Sequence, residues 1–187
     1  MAFERQPLLI GDLLCLRPLR LDNFNALYAV ASDPLIWEQH PERHRYRPEV
    51  FALFYDEVIA SGGALCAAAS RDRQLIGSSR FHGYNQATSE VEIGWTFLAR
   101  SHWGGSSNRE LKRLMLDHAF RFVRGVTFVV GEHNRRSRRA VEKIGGKWTG
   151  QKTDKSGHVS MVYKLTAAEW TSLTHDAGAL GVVGGQR

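Results

Sequence analysis

The clearest chemical feature of the sequence is a run of small and polar residues directly before a long amphipathic segment. Residues 103–108 read WGGSSN, and RELKRL follows. A helix N-terminus carries unpaired backbone N–H groups and about half a positive charge, and small side chains let an anion approach them. The junction can therefore hold a pyrophosphate, although glycine–serine loops before helices are also common without a ligand. Neither the dinucleotide pattern GxGxxG nor the Gly-Lys-Ser/Thr of a P-loop is present.

The positive charge of the chain is concentrated around this junction. The 187 residues include 25 Lys or Arg and 19 Asp or Glu, a formal net charge of +6. Residues 100–147 hold twelve of the basic and four of the acidic residues, so this stretch carries +8 and the rest of the chain −2. A nucleic-acid coat more often spreads over a face, with aromatic platforms between the charges. The cluster favours a site for a small anionic ligand, and nucleic acid is the less favoured partner.

Hydrophobic periodicity predicts the elements that would position the junction. Leu13–Pro18 is predicted as a strand, and helices follow after Asp22 and from Pro48. Three strands come next, of which Glu90–Leu98 is the last, and then the long helix from Asn108. A β-branched strand, a basic helix ending at a double glycine and two further strands complete the order β-α-α-β-β-β-α-β-α-β-β. This order predicts an α/β (α+β) fold with helices packed on one sheet.

Length and composition predict one globular domain. We find no repeat and no linker, and expect a single domain over residues 1–170 with a flexible Gly-rich tail over 171–187. No run approaches the roughly 20 apolar residues of a membrane span, so no membrane partner is expected. The N-terminus lacks the apolar core of a secretory signal. Cys15 and Cys66 stand in apolar runs and are expected to be buried reduced thiols, which favours a cytoplasmic protein.

Several segments, in this order and spacing, make the sequence similar to a known family. They are LRPLRLDNFNALYAVASD, IGSSRF, EIGWTFL, WGGSSNRELKRLMLDHAF and NRRSRRAVEKIGGK. From about Leu13 to Leu165 the chain resembles the GNAT superfamily of acetyl-CoA-dependent N-acetyltransferases, specifically the branch of the ribosomal-protein N-terminal (alanine/serine) acetyltransferases. The resemblance implies a mixed, mostly antiparallel sheet of six to seven strands flanked by helices. It also implies direct transfer of an acetyl group from acetyl-CoA to a primary amine in a ternary complex.

The resemblance implies where coenzyme A would lie. In this family the pyrophosphate binds the loop and the first turn of the long helix, and the pantetheine arm pairs with the strand before the loop, which is splayed from VTFVVGE. The branch commonly has Trp-Gly-Lys-Gly-Tyr-Ala here, so Ser106 replaces the second glycine and Asn108, a good N-cap, replaces the small residue at the helix start. The implied cofactor-binding residues are Trp95, Thr96, Phe97, Leu98, Arg100, Trp103, Gly104, Gly105, Ser106, Ser107, Asn108, Asn134, Ser137 and Arg138, with Arg100, Arg138 and Arg139 as candidates for the 3′-phosphate.

The resemblance also implies the catalytic residues Glu92, Asn134 and Ser137. Glu92 stands where this branch often has its general base, and strand alternation sets it on the face opposite Val91, Ile93 and Trp95. If those apolar neighbours desolvate it, its pKa rises toward the useful range. Alternatively, Glu92 is simply part of the polar side of an amphipathic strand, and Glu132 is a second candidate base.

Asn134 and Ser137 match the Asn-x-x-Ser of the family's second cofactor motif, although Asn134 is equally explained as a plain N-cap. Many members of the superfamily have a tyrosine seven positions after this asparagine, which protonates the departing thiolate. Here that position is Val141, so Ser137, a water or another residue must serve.

The acceptor would be selected by the segment WEQHPERHRYR between the first two helices, together with later loops. The expected acceptor is a protein N-terminal α-amine or a small-molecule amine, and the chain a monomer or homodimer. No third ligand accompanies His40 and His44, so no metal site is expected. A coenzyme-A-binding sensor without turnover, or less readily a basic nucleic-acid-binding domain, is the alternative. The predicted acceptor-side residues are Trp37, His40, Tyr46 and Glu132.

Overall fold

The structure is a computed structural model that describes residues 3–180, with side chains described through residue 175. Its strands are β1 (Leu9–Ile10), β2 (Leu14–Pro18), β3 (Ala64–Ala69), β4 (Leu75–Asn85), β5 (Glu90–Leu98), β6 (Gly125–Gly131), β7 (Lys147–Thr153) and β8 (Val159–Thr166). Its α-helices are α1 (Phe24–Ala31), α2 (Pro48–Ala60), α3 (Ser106–Ala119), α4 (Arg135–Lys143) and α5 (Ala167–Leu180).

The strands form one mixed sheet in the order β1-β2-β3-β4-β5-β6-β8-β7. Neighbouring strands are antiparallel except β5 and β6, which run parallel. The mixed, mostly antiparallel sheet flanked by helices is therefore confirmed. The predicted number of six to seven strands is corrected to eight among the described residues. The additional strand, β1, has only two residues and is too short to show the alternation by which strands are recognised.

Each face of the sheet carries an apolar core. Strand β3 shows the alternation directly, because Leu65 and Ala67 belong to the core that includes α3, whereas Ala64 and Cys66 belong to the core that includes α1 and α2. Cys15 and Cys66 are buried and free, as predicted. The helices are thus anchored on both sides of the sheet.

The central feature of the sheet is a split between β5 and β6. The two strands pair only at Glu90–Glu92 with Gly125–Thr127 and then separate. Trp95 lies in this diverging part with a φ of +52°, a left-handed conformation uncommon for a bulky residue. The split predicted between the strand before the loop and VTFVVGE is therefore present. It opens a wedge between residues 93–98 and 128–131.

Two predicted boundaries are corrected. Helix α3 begins at Ser106, with Gly105 as its N-cap, so Asn108 lies inside the first turn and is not the cap. Helix α5 continues to Leu180 across the expected boundary at residue 170, and Thr166 and Glu169 exchange side-chain and backbone hydrogen bonds at its start. Residues 181–187 of the predicted tail lie outside the described part. Within residues 3–180, no helix combines the length and apolar character needed to span a bilayer.

Candidate active site

Two connected cavities occupy the wedge between β5 and β6. The inner cavity measures about 210 Å³ and is lined by Gly94, Lys112, Phe128 and Val141, among others. The outer cavity measures about 580 Å³ and is lined by the loop before α3 and by α4. Because they share lining residues, the cavities form one cleft that runs from the protein surface into the split of the sheet. The shared residues are Trp37, His40, Thr96, Asn108, Asn134, Ser137 and Ala140.

The loop at the mouth of the cleft leaves the start of α3 open. Gly104 has a φ of +69°, which favours glycine, and a Cβ at either Gly104 or Gly105 would meet no atom within 4 Å. Gly105, the N-cap, has no side chain that could bond the first-turn N–H groups. Ser106 adopts helical geometry, so the replacement of a glycine there does not strain the loop. Ser106 and Ser107 supply backbone to this turn, although they do not line the cavities.

Asn134 combines a structural and a lining role. Its Oδ1 accepts a hydrogen bond from the Ser137 backbone N–H at 3.1 Å, which caps α4 as predicted from the plain N-cap interpretation. The side chain is only 8% exposed, and both Asn134 and Ser137 line the inner and the outer cavity. The Nδ2 amide of Asn134 remains available as a donor to a ligand.

A set of basic side chains lines the outer cavity. Arg136 is fixed by a hydrogen bond to the Ile36 carbonyl at 3.1 Å, and its guanidinium stacks on the Trp103 indole. The indole Nε1 in turn donates to the Leu98 carbonyl at 2.9 Å. The outer cavity therefore has a cationic wall that meets the open start of α3. The residues of this wall are Arg109, Arg135, Arg136, Arg139 and Lys143.

The structure does not bring two of the predicted phosphate ligands to the cleft. Arg100 is turned to α1, where its Nε pairs with the Asp33 carboxylate. Arg138 points to the sheet, and it donates to Tyr163 Oη and to the Glu132 carbonyl, both at 3.0 Å. Arg139, the third candidate, lines the outer cavity. Spacing along α4 could not decide this, because consecutive helical residues point about 100° apart.

The family is settled by comparison with known proteins. The profile described as the acetyltransferase (GNAT) domain matches residues 14–147. The chain belongs to the GNAT acetyltransferase family. None of the curated proteins matches it in sequence.

Solved structures of this family share the fold of the chain. A GCN5-related N-acetyltransferase from Brucella melitensis is similar with a TM-score of 0.83 at 18% identity, over 95% of this chain and 86% of that one. Spermidine N-acetyltransferase from Vibrio cholerae, in complex with CoA and spermine, gives 0.67 at 15%, over 85% and 98%. RimJ from Mycobacterium smegmatis, in complex with CoA-disulfide, gives 0.63 at 17%, over 86% and 89%. At these identities the likeness shows the fold alone.

In this GNAT domain Glu92 lies beside the inner cavity but does not line it. Its Oε1 is 3.2 Å from the position that a Cβ on Gly94 would take, and Gly94 lines the cavity. Burial raises the pKa of Glu92, while Lys152 and Arg80 partly offset the effect. The direction agrees with the pKa shift expected for Glu92, whereas Ile93 lies on the opposite face of β5.

Trp95 lines the inner cavity, but the face of β5 that was predicted for its ring is wrong. The strand irregularity at this point turns its ring onto Arg80, 3.4 Å from the guanidinium carbon, and to within 4.9 Å of the His82 ring. His82 pairs with Glu92 and Arg80 pairs with Gly94, so Trp95 shares the face of Glu92 and not that of Ile93. Thr96 consequently points to α3, and Phe97 packs against Trp37.

The acceptor-side residues fall into two groups. Trp37 and His40 line both cavities, and burial lowers the pKa of His40 to about 3, so the ring is neutral. Glu132 lines a neighbouring cavity of about 200 Å³, which shares His40, Pro41 and Gly131 with the inner one. Tyr46 packs in the core between α1 and α2, where its carbonyl accepts a hydrogen bond from Tyr28, and it reaches none of these cavities.

Two cations outside the predicted site residues line the inner cavity, Lys112 and Arg45, of which Arg45 belongs to the segment predicted to select the acceptor. A signal for Lys112 was present, since residues 108, 112, 115 and 119 share one side of a helix, and Met115 and Ala119 are fully buried. Arg45 lies in an irregular segment, where no periodicity indicates the direction of a side chain.

Proposed function

We propose that this GNAT domain transfers an acetyl group from acetyl-CoA to a primary amine by direct attack in a ternary complex. The observation that carries the proposal is the continuous cleft, which joins a cationic mouth to a gap through the sheet. Acetyl-CoA combines several phosphate charges at one end with a thioester at the other. The cleft offers a cationic mouth for the phosphates and, further in, the gap in the sheet for the thioester end.

The residues of the mouth suit the phosphates. The first-turn N–H groups of α3 face an open space above Gly104 and Gly105, and Arg139 and Lys143 stand opposite on α4. Arg136 and Trp103 hold the two walls together. This cradle of backbone donors and cations would bind a pyrophosphate and a further phosphate group.

The split of the sheet suits the pantetheine arm. Phe97 and Leu98 pair with β4, and beyond Glu92 no described strand pairs with β5 on the side of β6. Except for the Leu98 carbonyl, which accepts from Trp103 Nε1, backbone groups that face the wedge there could bond a ligand's amides. Asn134 would add its Nδ2 donor near the inner end. A thin flexible arm with amide groups is the kind of ligand that this gap fits.

Glu92 is proposed as the general base. Burial raises the pKa of Glu92 toward neutral pH, where its carboxylate is best suited to take a proton from the acceptor nitrogen, so that the neutral amine attacks the thioester carbonyl. Because its carboxylate lies beside Gly94 and not in the cavity wall, proton transfer would run through a bridging water or a shift of the side chain.

The acceptor is proposed to be a peptide N-terminus or a neutral or anionic small amine. Arg45 lines the inner cavity, and it forms no ion pair with a carboxylate among the described residues. A polycationic acceptor such as a polyamine would be repelled by it. This favours the N-terminal acetyltransferase branch over polyamine acetylation.

The proposal is tested by calorimetry with acetyl-CoA and by thiol release across an acceptor panel. The panel contains peptides starting with Ala or Ser, free amino acids and spermidine. Saturable binding and release with peptides or amino acids is expected. Absence of binding would refute the function, and preferred release with spermidine would refute the acceptor class. Binding without release from any acceptor would favour a coenzyme-A sensor, the alternative suggested by the apolar Val141.

A further inference from the structure

Lys112 places an ammonium group inside the protein without a counter-charge. The residue is only 6% exposed, and its Nζ donates one hydrogen bond, to Thr96 Oγ1 at 2.7 Å. Thr96 Oγ1 also lies 2.7 Å from Ser79 Oγ, so the lysine is the end of a short polar chain. No carboxylate forms an ion pair with Lys112 in the part of the chain that the structure describes. Two of its three N–H donors are left for another partner.

This burial is costly for the fold. Removing an ammonium from water costs about as much free energy as the burial of one or two large core side chains contributes. Apolar neighbours, Met115 one turn along α3 and Phe128 on β6 with its ring centre 5.4 Å from Nζ, show that the site could hold an apolar side chain. The cost is not offset by a salt bridge, which points to a role outside folding.

The lysine lines the part of the cleft where the reaction would occur. The cationic mouth holds the charged end of the ligand, so the reactive end lies in the inner cavity, which Lys112 and Val141 both line. Position 141, where the resemblance implies a tyrosine acid, has no proton to give. The other titratable groups that line the inner cavity are His40 and Arg45, from the segment between α1 and α2.

Those two groups are poor donors of a proton. His40 is neutral at physiological pH, because burial lowers its pKa to about 3, and the nearby Arg45 adds to this effect. The Arg45 guanidinium stacks on the Phe54 ring, 4.2 Å from its centre, and burial lowers its pKa only to about 10, so it stays charged near neutral pH. Burial lowers the pKa of Lys112 to about 7 instead, so near neutral pH it can both carry and release a proton.

We propose that Lys112 is the catalytic acid that protonates the departing thiolate, a role that rests on the proposed acetyl transfer. As the acceptor nitrogen bonds to the carbonyl carbon, the carbon–sulfur bond breaks and its electron pair goes to sulfur. Lys112 Nζ then gives a proton to the sulfur, which yields the free thiol and a neutral lysine. The proton lost by the acceptor amine reaches the base or solvent, and one proton returns to Lys112 through the open cleft. The proton donor is thus a residue of α3, whereas the tyrosine that the resemblance implies at position 141 would lie on α4.

The test uses the ionisation of bound CoA, which requires no acceptor. Ultraviolet absorbance of the thiolate is followed against pH in complexes of CoA with the wild type, Lys112→Met and Lys143→Met. A thiolate beside Lys112 Nζ favours the ammonium form and the ammonium favours the thiolate, so in the CoA complex the two groups titrate as a coupled pair. The thiol pKa read from the thiolate absorbance of the wild-type complex is therefore expected to lie about one unit or more below that in Lys112→Met. Lys143→Met removes a charge from the mouth, so it should weaken CoA binding without moving the thiol pKa.

Three results would overturn the role of Lys112. The first is an equal thiol pKa in the wild-type and Lys112→Met complexes, measured where calorimetry shows that both bind CoA. The second is full turnover by Lys112→Arg, since a guanidinium supplies charge but does not readily give up a proton. The third is an acetyl group on Lys112 itself after incubation with acetyl-CoA. A wild type that binds no CoA would instead refute the proposed function, so the two failures are distinguishable.

Discussion

The guanidinium carbon of Arg136 lies 3.7 Å from the centre of the Trp103 ring, and this contact joins α4 to the loop before α3. The two elements are on opposite sides of the cleft mouth, and they come from segments separated by a complete helix and strand. The stack therefore determines the width of the mouth. It also orients the neighbouring residues of α4, of which Arg139 lines the cleft and Arg138 does not.

Arg139→Ala and Arg138→Ala form a matched pair of neighbouring substitutions. Arg139→Ala is expected to weaken CoA binding about tenfold, the effect of losing a charge-assisted contact, with little change in Tm. Arg138→Ala removes the bonds to Tyr163 and to the Glu132 carbonyl, so it should lower Tm and leave CoA affinity unchanged. Calorimetry measures the CoA affinity of each variant, and thermal melts measure its Tm. Weaker CoA binding in Arg138→Ala with unchanged affinity in Arg139→Ala would show that Arg138, and not Arg139, contacts the phosphate.

Alanine substitutions of Gly104 and Gly105 distinguish the effect of backbone strain on stability from the effect of an added Cβ on phosphate binding. Gly104→Ala forces an alanine to a φ of +69°, which costs about 1 kcal/mol of stability and should lower Tm. Gly105 has a negative φ and open space around its Cβ position, so Gly105→Ala should leave Tm unchanged. If phosphate binds directly above the helix start, Gly105→Ala still weakens CoA binding. An unchanged CoA affinity in Gly105→Ala would show that the phosphate does not bind directly above the start of α3.

Glu92→Gln tests the general base. Since burial raises the pKa of Glu92, turnover in the wild type should rise with pH as this carboxyl loses its proton. Glu92→Gln should remove that rise and lower turnover at least about tenfold, with little change in CoA affinity. Glu90→Gln is the control, because Glu90 pairs with Lys164 and does not line the cleft. A pH–rate profile that is the same in Glu92→Gln and the wild type would exclude Glu92 as the base.

The stability of Lys112→Met should exceed that of the wild type in a pH-dependent way. Burial lowers the pKa of Lys112 from 10.5 to about 7. Below pH 7 the folded protein therefore holds the buried ammonium in its charged form, and the free energy of unfolding is reduced by the full cost of that burial. Between about pH 7 and 10.5 the unfolded chain binds more protons, and the wild type gains stability as pH rises. The Tm difference between the two proteins should therefore be largest below pH 7 and shrink above it. A constant difference would show that the ammonium is well solvated in the folded state.

The sequence predicted the parts of the site that depend on local backbone chemistry. The loop Trp103–Asn108 is recognised by its small residues before a helix, and Asn134 by its capping position. The order of strands and the split beside VTFVVGE came from the resemblance, since pairing between distant strands leaves no local pattern. These features concern the course of the backbone.

Side-chain directions were harder to predict. Arg100 and Arg138 stand next to the site in sequence, yet each finds a partner elsewhere, Asp33 and Tyr163, that periodicity does not reveal. Trp95 changed face because an irregularity in β5 interrupts the two-residue repeat on which the prediction depended. Lys112 was missed because its charge suggests an exposed position, although its helical position is buried.

The short pairing between β5 and β6 has a mechanical consequence. Within residues 3–180, only three paired residues on each strand join the half of the sheet that contains β1–β5 to the half that contains β6–β8. A ligand that bonds to β5 inside the wedge would act as a missing strand and bridge the two halves. The empty protein should therefore hinge at this seam, and the amides of residues 95–98 should exchange with solvent faster before the ligand binds than after it.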